Sequence, residues 1–283
     1  MEIGIGLPAI RPGPYGHGMT EWARRAEERG FHSLGVLDRL VYRNYEPLVA
    51  LAVAGAVTFR IRLATTVLLA GYRGNTALLA KQLASIDHLT GGRLTVGMAA
   101  GGREDDFAVS GANYHDRGRR LDAMIIQLRD LFAGHGDIGP QLPDGGPPLL
   151  IGGQSPAAIE RAARYGDGWI AGASSGLPYR DLVRTVREAW TRCGRTERPR
   201  LVALSYFALG SSATRRAEEY VSDYYAFAGP YAWKVLADVV TDEAAVRRRI
   251  AERAEAGCDE LIFFPCVHDS EQPELLADIA LQN

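Results

Sequence analysis

The sequence predicts an α/β protein, a closed (β/α)8 barrel of the TIM type with a helical insertion between strands seven and eight. Three observations lead there. Short Val/Ile/Leu-rich runs alternate with helical patterns along the whole chain, as in a parallel sheet covered by helices. The runs number eight, the count at which such a sheet closes. The length, 283 residues of which 47% are hydrophobic and 23% charged, suits one large barrel domain over residues 1–283.

Each element has a local reason. EIGIGL (2–7) reads as strand one, followed by a helix near Met19 to Arg29 that presents Trp22, Ala23 and Ala26 on one side and stops at Gly30. SLGVL (33–37) precedes the apolar helix Pro47 to Val57, and IRLATTVLL (61–69) a helix from Thr76 to Leu89, ended by Gly91-Gly92. RLTVGMA (93–99) leads through a loop into the amphipathic segment His115 to Ala133. Gly134 to Pro148, rich in Gly and Pro, is a surface loop. PLLIG (148–152) and GWIAG (168–172) are strands five and six, with helices at Ser155 to Tyr165 and Tyr179 to Cys193. RLVALSYFAL (200–209) is strand seven, and DELIFFP (259–265) is strand eight before a last helix at Pro273 to Leu281. Between them lie helices near Thr214 to Phe227 and Asp242 to Ala256. Residues 210–241 form the insertion, with Tyr220, Tyr224, Tyr225, Phe227, Tyr231 and Trp233. These aromatics either cover a pocket or form a helical pair packed on the barrel or on a second subunit.

Charge and composition exclude several classes. With 32 basic and 34 acidic residues the formal charge is −2, which gives no electrostatic reason to expect nucleic acid or an anionic membrane. Lys81 and Lys234 are the only lysines, so arginine number by itself marks no site. Cys193, Cys258 and Cys266 lack metal-ligand spacing and read as reduced structural thiols. MEIGIGLP is no signal peptide, and the longest apolar run, Leu48 to Val57, falls short of the ~20 residues of a membrane helix. The expectation is a soluble cytoplasmic protein. A doubly wound dinucleotide fold is excluded as well. Gly4-x-Gly6-x-x-Ala9 fits its fingerprint in letters, but Pro8, Pro12, Gly13 and Pro14 leave no helix to receive a pyrophosphate.

In such a barrel the active site gathers at the C-terminal ends of the strands. Gly152-Gly153-Gln154-Ser155-Pro156 sets two glycines between strand and helix, with Ser155 as cap and Pro156 at the first helical position. Such a helix start attracts an anion. Ser174-Ser175-Gly176, after the next strand, offers two hydroxyls and a flexible backbone. Each alone can be a tight turn; on adjacent strands they point to a phosphate. Gly153→Val is then expected to weaken anion binding with little loss of folding. No Ser-His-Asp set, glycosidase carboxylate pair or HExxH is present, which fits a protein whose cofactor does the chemistry.

Five segments in order, AEERGFHSLGVLDR (26–39), LLAKQLASIDHLTGGRLTVGMAAGGREDDF (78–107), RGRRLDAMI (117–125), PLLIGGQSPAAIERAARYGDGWI (148–170) and AGCDELIFFP (256–265), resemble the bacterial luciferase-like monooxygenases and their deazaflavin-dependent relatives. The resemblance implies a bound FMN or coenzyme F420, its ring over the barrel mouth and its phosphate at the loops after strands five and six. The wording of GGREDDF and RGRRLD leans toward F420. Gly152, Gly153, Gln154, Ser155, Ser174, Ser175 and Gly176 would then hold phosphate. Ala99, Ala100 and Gly101 would leave room for the flat ring, and Thr65 and Thr66 match a place where the family often has a bulge with a cis peptide. The alternative for the threonines is an ordinary inward-facing strand. Glu104, with Asp105, would bond polar ring edges or cap a short helix.

Asp38, Arg39 and Tyr72 are the catalytic candidates that the resemblance implies, Asp38 bordering cofactor and substrate and holding Arg39 at the reacting edge. Asp38 as a cap or salt-bridge partner is the alternative, and Arg73 joins Tyr72 as a contact for substrate or ring. The sugar-phosphate dehydrogenase branch has a His and a Glu where this chain has Arg39 and Gly102, so its acid–base pair is missing. His17 and His268 are replacement proton donors or solvated surface residues. The enzyme expected is an oxidoreductase acting on a small, apolar or aromatic molecule. With FMN it would be a monooxygenase fed by a separate flavin reductase; with F420, a hydride-transferring reductase or dehydrogenase, because carbon in place of N5 makes oxygen activation poor. A homodimer is compatible with either. A non-catalytic flavin-binding relative and a phosphate-binding barrel lyase or isomerase are the alternatives. The last would want a Lys or Glu at a strand end, where this chain has none of its lysines.

Overall fold

The computed structural model describes residues 1–10 and 17–281. Pro12, Gly13 and Pro14, on which the exclusion of a dinucleotide loop rests, and the side chain of His17 lie outside the described residues. Eight parallel strands close a barrel in sequential order: β1 (Glu2–Gly6), β2 (Ser33–Val36), β3 (Arg62–Leu69), β4 (Leu94–Ala99), β5 (Leu149–Gly152), β6 (Gly168–Ala171), β7 (Arg200–Phe207) and β8 (Glu260–Pro265). Closure is made by β1 against β8, Glu2 opposite Glu260 through Ile5 opposite Phe263.

Around the barrel run α1 (His17–Arg29), α2 (Pro47–Ala56), α3 (Thr76–Leu89), α4 (Glu104–Ser110), α5 (Arg117–Phe132), α6 (Pro156–Tyr165), α7 (Tyr179–Arg192), α8 (Ala213–Tyr224), α9 (Tyr231–Asp238), α10 (Glu243–Glu255) and α11 (Gln272–Ala280). None is long and apolar enough to cross a membrane. Two of these helices lie in segments the sequence pattern left irregular. One is α4, in the loop after β4. The other is α9, in the insertion, which therefore folds as two helices joined by a 3-10 turn.

Alternation along the strands divides the apolar residues into two layers. Leu201, Ala203 and Phe207 of β7 pack with the helices, whereas Val202, Leu204 and Tyr206 join Leu150, Ile170, Ile262 and Phe264 inside the barrel. Large side chains of β5–β8 fill that interior because β1, β2 and β4 carry glycine opposite them. A Cβ on Gly6 would lie 2.2 Å from the Phe264 ring, and one on Gly97 2.4 Å from Ile170. The insertion continues the same layer upward: Tyr220, Val221 and Tyr224 of α8 are buried against it. After α9 the chain returns to the end of β7, where Val240 pairs with Phe207.

Candidate active site

A cavity of about 430 Å³ opens at the C-terminal ends of β3 to β7. Ala99, Ala100 and Gly101 form one wall, with Thr66, Val67 and Leu69 beside them; Gly152, Gly153, Gln154, Ser155 and Ser174 line it as well. The strand-three wall is irregular. Its register against β4 shifts between Thr65 and Leu68, and the Thr66–Val67 peptide is cis. Thr65 itself points away and donates to the Gly97 carbonyl at 2.7 Å.

The β5 and β6 loops are held by hydrogen bonds that fix their shape. Gly153 has φ +122°, and a Cβ there would come 2.7 Å from that of Ala158. The Trp169 indole donates to its carbonyl at 2.7 Å. Ser155 caps α6, its hydroxyl accepting from Ala158 N–H at 3.2 Å, with Pro156 in the first turn. Gln154 Nε2 and the Tyr231 hydroxyl both donate to the Ser174 carbonyl, at 3.1 and 2.9 Å. The Ser174 hydroxyl is left over. Ser174 is 7% exposed, lines the cavity, and its Oγ has no hydrogen-bond partner among the described residues. A buried hydroxyl without a partner is costly, and an anion in the cavity would satisfy it.

Two lining cations had no place among the sequence candidates. Arg117, at the start of α5, donates to the carbonyls of Gly101 and Tyr114 at 3.1 and 2.9 Å and lies 3.8 Å from the centre of the Tyr114 ring. Arg161 of α6 is oriented by Asp122 at 2.5 Å. The α6 start, the glycine loop, the Ser174 hydroxyl and these guanidinium groups together suit a phosphate group. The rest of the lining is apolar or phenolic: Val67, Ile170, Leu204, Tyr225 and Tyr231. Tyr225 pairs with the Tyr206 hydroxyl at 2.9 Å, and burial pushes both phenols above their usual range, so they stay protonated. Among the described residues lining this cavity there is no carboxylate and no imidazole.

Asp38, Arg39 and Tyr72 do not line this cavity. The Asp38 carboxyl accepts from Leu69 N–H at 2.9 Å, the Tyr72 hydroxyl at 2.7 Å and Arg73 at 3.2 Å. Burial pushes it above the ordinary carboxylate range, against the pull of Arg73 and Tyr72. Asp38 therefore pins the end of β3, whose Leu69 does line the cavity, and it does not hold Arg39. That guanidinium donates to the carbonyls of Tyr224 and Val41 at 3.0 and 2.9 Å and packs among Tyr42, Tyr224 and Phe227. Its hydrogen bonds run to carbonyls because the insertion folds over it, and it stays outside the cavity lining. Arg73 divides between Asp38 and Glu46.

Glu104 is exposed at the start of α4 and outside the lining. Ser175 turns its hydroxyl onto the backbone of Leu177. With Gly176 it borders a neighbouring cleft instead. His268 is exposed beside Cys266 and Asp269, also away from the cavity. The geometry also revises Gly153→Val. At φ +122° with Ala158 in the way, that change strains the backbone and is no clean probe of anion binding.

The sequence profile described as luciferase-like monooxygenase matches residues 2–277. The chain belongs to that family. The family and its dehydrogenase relatives make it an oxidoreductase. An F420-dependent glucose-6-phosphate dehydrogenase of Kribbella flavida is 28% identical over 219 residues, 69% of this chain and 65% of that protein. Among solved structures, an F420-dependent secondary alcohol dehydrogenase in complex with an F420-acetone adduct superimposes with a TM-score of 0.81 at 17% identity, covering 99% of this chain and 98% of that one. The oxygenating constituent of 3,6-diketocamphane monooxygenase from Pseudomonas putida, in complex with FMN, gives 0.67 at 16% identity over 99% and 95% of the chains. At these identities the superpositions speak for the fold.

Proposed function

We propose that this luciferase-like oxidoreductase binds coenzyme F420 in the mouth cavity and acts as a hydride-transferring reductase or dehydrogenase on a small, apolar or aromatic molecule. The observation that carries the reading is the Ser174 hydroxyl, buried and unpartnered among the described residues, in the cavity that the glycine loop, the α6 start and Arg117 also line. When bound, the cofactor supplies the two-electron chemistry. The chain's own residues bind and orient: Ser174, Gly153, Arg117 and Arg161 take the phosphate. Ala99, Ala100 and Gly101 give a flat surface without projecting side chains. Val67, Ile170 and Leu204 exclude water from the space above the barrel interior. Among the described lining residues the phenols are Tyr225 and Tyr231; Tyr231 donates to the Ser174 carbonyl, so a substrate oxygen would take its hydrogen bond from Tyr225, which can accept from the Tyr206 hydroxyl.

Sugar-phosphate oxidation is not part of this reading, despite the Kribbella flavida relative, because Arg39 and Gly102 stand where that branch has His and Glu. FMN-dependent oxygenation, with a separate reductase as partner, is the second reading, favoured by the fold shared with the FMN-bound Pseudomonas putida protein. Titration of the purified protein with F420 and with FMN, followed by spectra of each reduced complex in air, separates the two. Saturable F420 binding, with a reduced complex that persists in air, is expected. Tight FMN binding with rapid reoxidation would favour the second reading, and binding of neither would remove both.

A further inference from the structure

A second cleft, of about 320 Å³, adjoins the cofactor cavity and shares Gln154, Gly172, Ala173 and Ser174 with it. Its far wall is α10, which presents Arg249 and Arg253. The two arginines differ. Arg249 is compensated: it lies 3.7 Å from Asp238 and 3.8 Å from Glu252, and it donates to the Ser205 hydroxyl at 2.9 Å. Arg253 makes no side-chain hydrogen bond or ion pair among the described residues. Its guanidinium lies over the Tyr179 ring, 4.6 Å from the centre, and its Nε is buried without a partner. Burial and the neighbouring Arg249 push its pKa down, so its charge is held at a cost. The first turn of α7, without a side-chain cap, opens on the same cleft, and Asp181 in that turn is drawn to Arg184 at 3.1 Å. Ser174, with its unpartnered buried hydroxyl, stands where the two spaces meet.

We propose that this cleft is a second anion subsite, in which Arg253 receives a carboxylate on a part of the cofactor that extends beyond its phosphate. The inference rests on the cofactor reading above and sharpens it. FMN ends at its phosphate, whereas F420 continues through a lactyl unit into γ-linked glutamates, each bearing a carboxylate. A half-buried guanidinium that no carboxylate contacts, one loop away from a phosphate cradle, matches the longer molecule. Asp238 and Glu252, which also border the cleft, lie within 4 Å of Arg249; Glu252 favours the Arg253 charge through space, but neither acid forms an ion pair with Arg253 among the described residues.

The test measures dissociation constants by cofactor fluorescence for F420 with its oligoglutamyl tail, for F420 with the glutamates removed, and for FMN. The wild-type protein, Arg253→Gln and Arg253→Lys are compared. Wild type should bind tailed F420 about tenfold more tightly than the trimmed form, as expected for one charge-assisted contact. Arg253→Gln should lose that preference while binding the trimmed form as wild type does; Arg253→Lys should retain most of it. High salt should narrow the difference. Equal affinity of wild type for tailed and trimmed F420, or a preference that survives Arg253→Gln, would overturn the subsite and leave the cofactor reading standing. Failure of wild type to bind either form of F420 would overturn both. Because each variant is compared with itself on two ligands, a general folding defect lowers both affinities together and does not imitate the expected result.

Discussion

Ser174 uses its two oxygens differently. The carbonyl, held by Gln154 and Tyr231, ties the β6 loop to the β5 loop and to the insertion, while the hydroxyl waits in the cavity without a partner. Ser174→Ala should therefore leave the melting temperature of the free protein unchanged or slightly raised, since no hydrogen bond is lost. Cofactor affinity should fall by about tenfold, the weight of one hydrogen bond to a charged group. Thermal melts with and without cofactor, beside a titration, check both halves. Gly153→Ala should behave oppositely, destabilising the free protein by roughly 1–3 kcal/mol through its left-handed φ; urea unfolding measures it. That Gly152, Gly153, Ser155 and Ser174 gather at a cavity was legible because glycine pairs and caps at strand ends have a local signature, although Ser175 and Gly176 share that signature and border the neighbouring cleft. Arg117 and Arg161 were not, because in a chain whose basic residues are nearly all arginine, one more on a helix gives no contrast.

At the scale of elements, the insertion is fastened to the barrel mouth by cations on aromatic faces. Phe227 lies 3.8 Å from the Arg103 guanidinium and 5.4 Å from that of Arg39, which also reaches the Tyr224 carbonyl. Arg39→Ala should loosen the insertion at a cost of about 2 kcal/mol. Limited proteolysis should then cut faster within 225–231, the segment that brings Tyr225 and Tyr231 to the cavity. Unchanged cleavage would mean that α8, the Arg103–Phe227 contact and the Tyr231–Ser174 hydrogen bond suffice to anchor the insertion. The helices that carry a continuous apolar face, such as α3 and α7, could be placed from their periodicity almost to the residue. The 3.6-residue pattern has too few turns to register in α4, seven residues long with three acids in its first turn, or in α9, where Tyr231 and Trp233 are exposed. Asp38 takes the salt-bridge role that was its alternative, but its partners, like those of Arg39, were hidden for a related reason. Both stand at a strand end, where catalytic groups gather, but their partners come from β3, the turn after it and α8, and sequence order does not reveal those contacts.

Over the whole molecule the two ends of the barrel are built from different materials, and the closed topology, legible from eight alternations, keeps them apart. The mouth holds unpartnered polar atoms and a cavity; the opposite end is charge-compensated. There Arg200, at the start of β7, reaches Glu2 at 2.6 Å and Glu260 at 2.8 Å. Glu260 also accepts from the Ser33 hydroxyl, and His32 lies 3.2 Å from Glu2. Glu2, His32 and Glu260 are close enough together to suggest a metal site, but Arg200 already supplies the cation. Arg200→Met should remove that cation and leave Glu260, whose side chain is 7% exposed, facing Glu2 uncompensated. The loss should be about 1–3 kcal/mol, less than for a fully buried pair because Arg200 is partly open to solvent. Adding Zn²⁺ to the variant should recover part of the stability, since three ligands then face a vacated cation position. Cofactor affinity should stay within twofold of wild type, because every group proposed to meet the cofactor sits at the other end of the strands. Urea unfolding with and without Zn²⁺, beside a cofactor titration, decides it. A parallel loss of cofactor affinity would mean that the barrel transmits strain from end to end, and that its two faces are not independent.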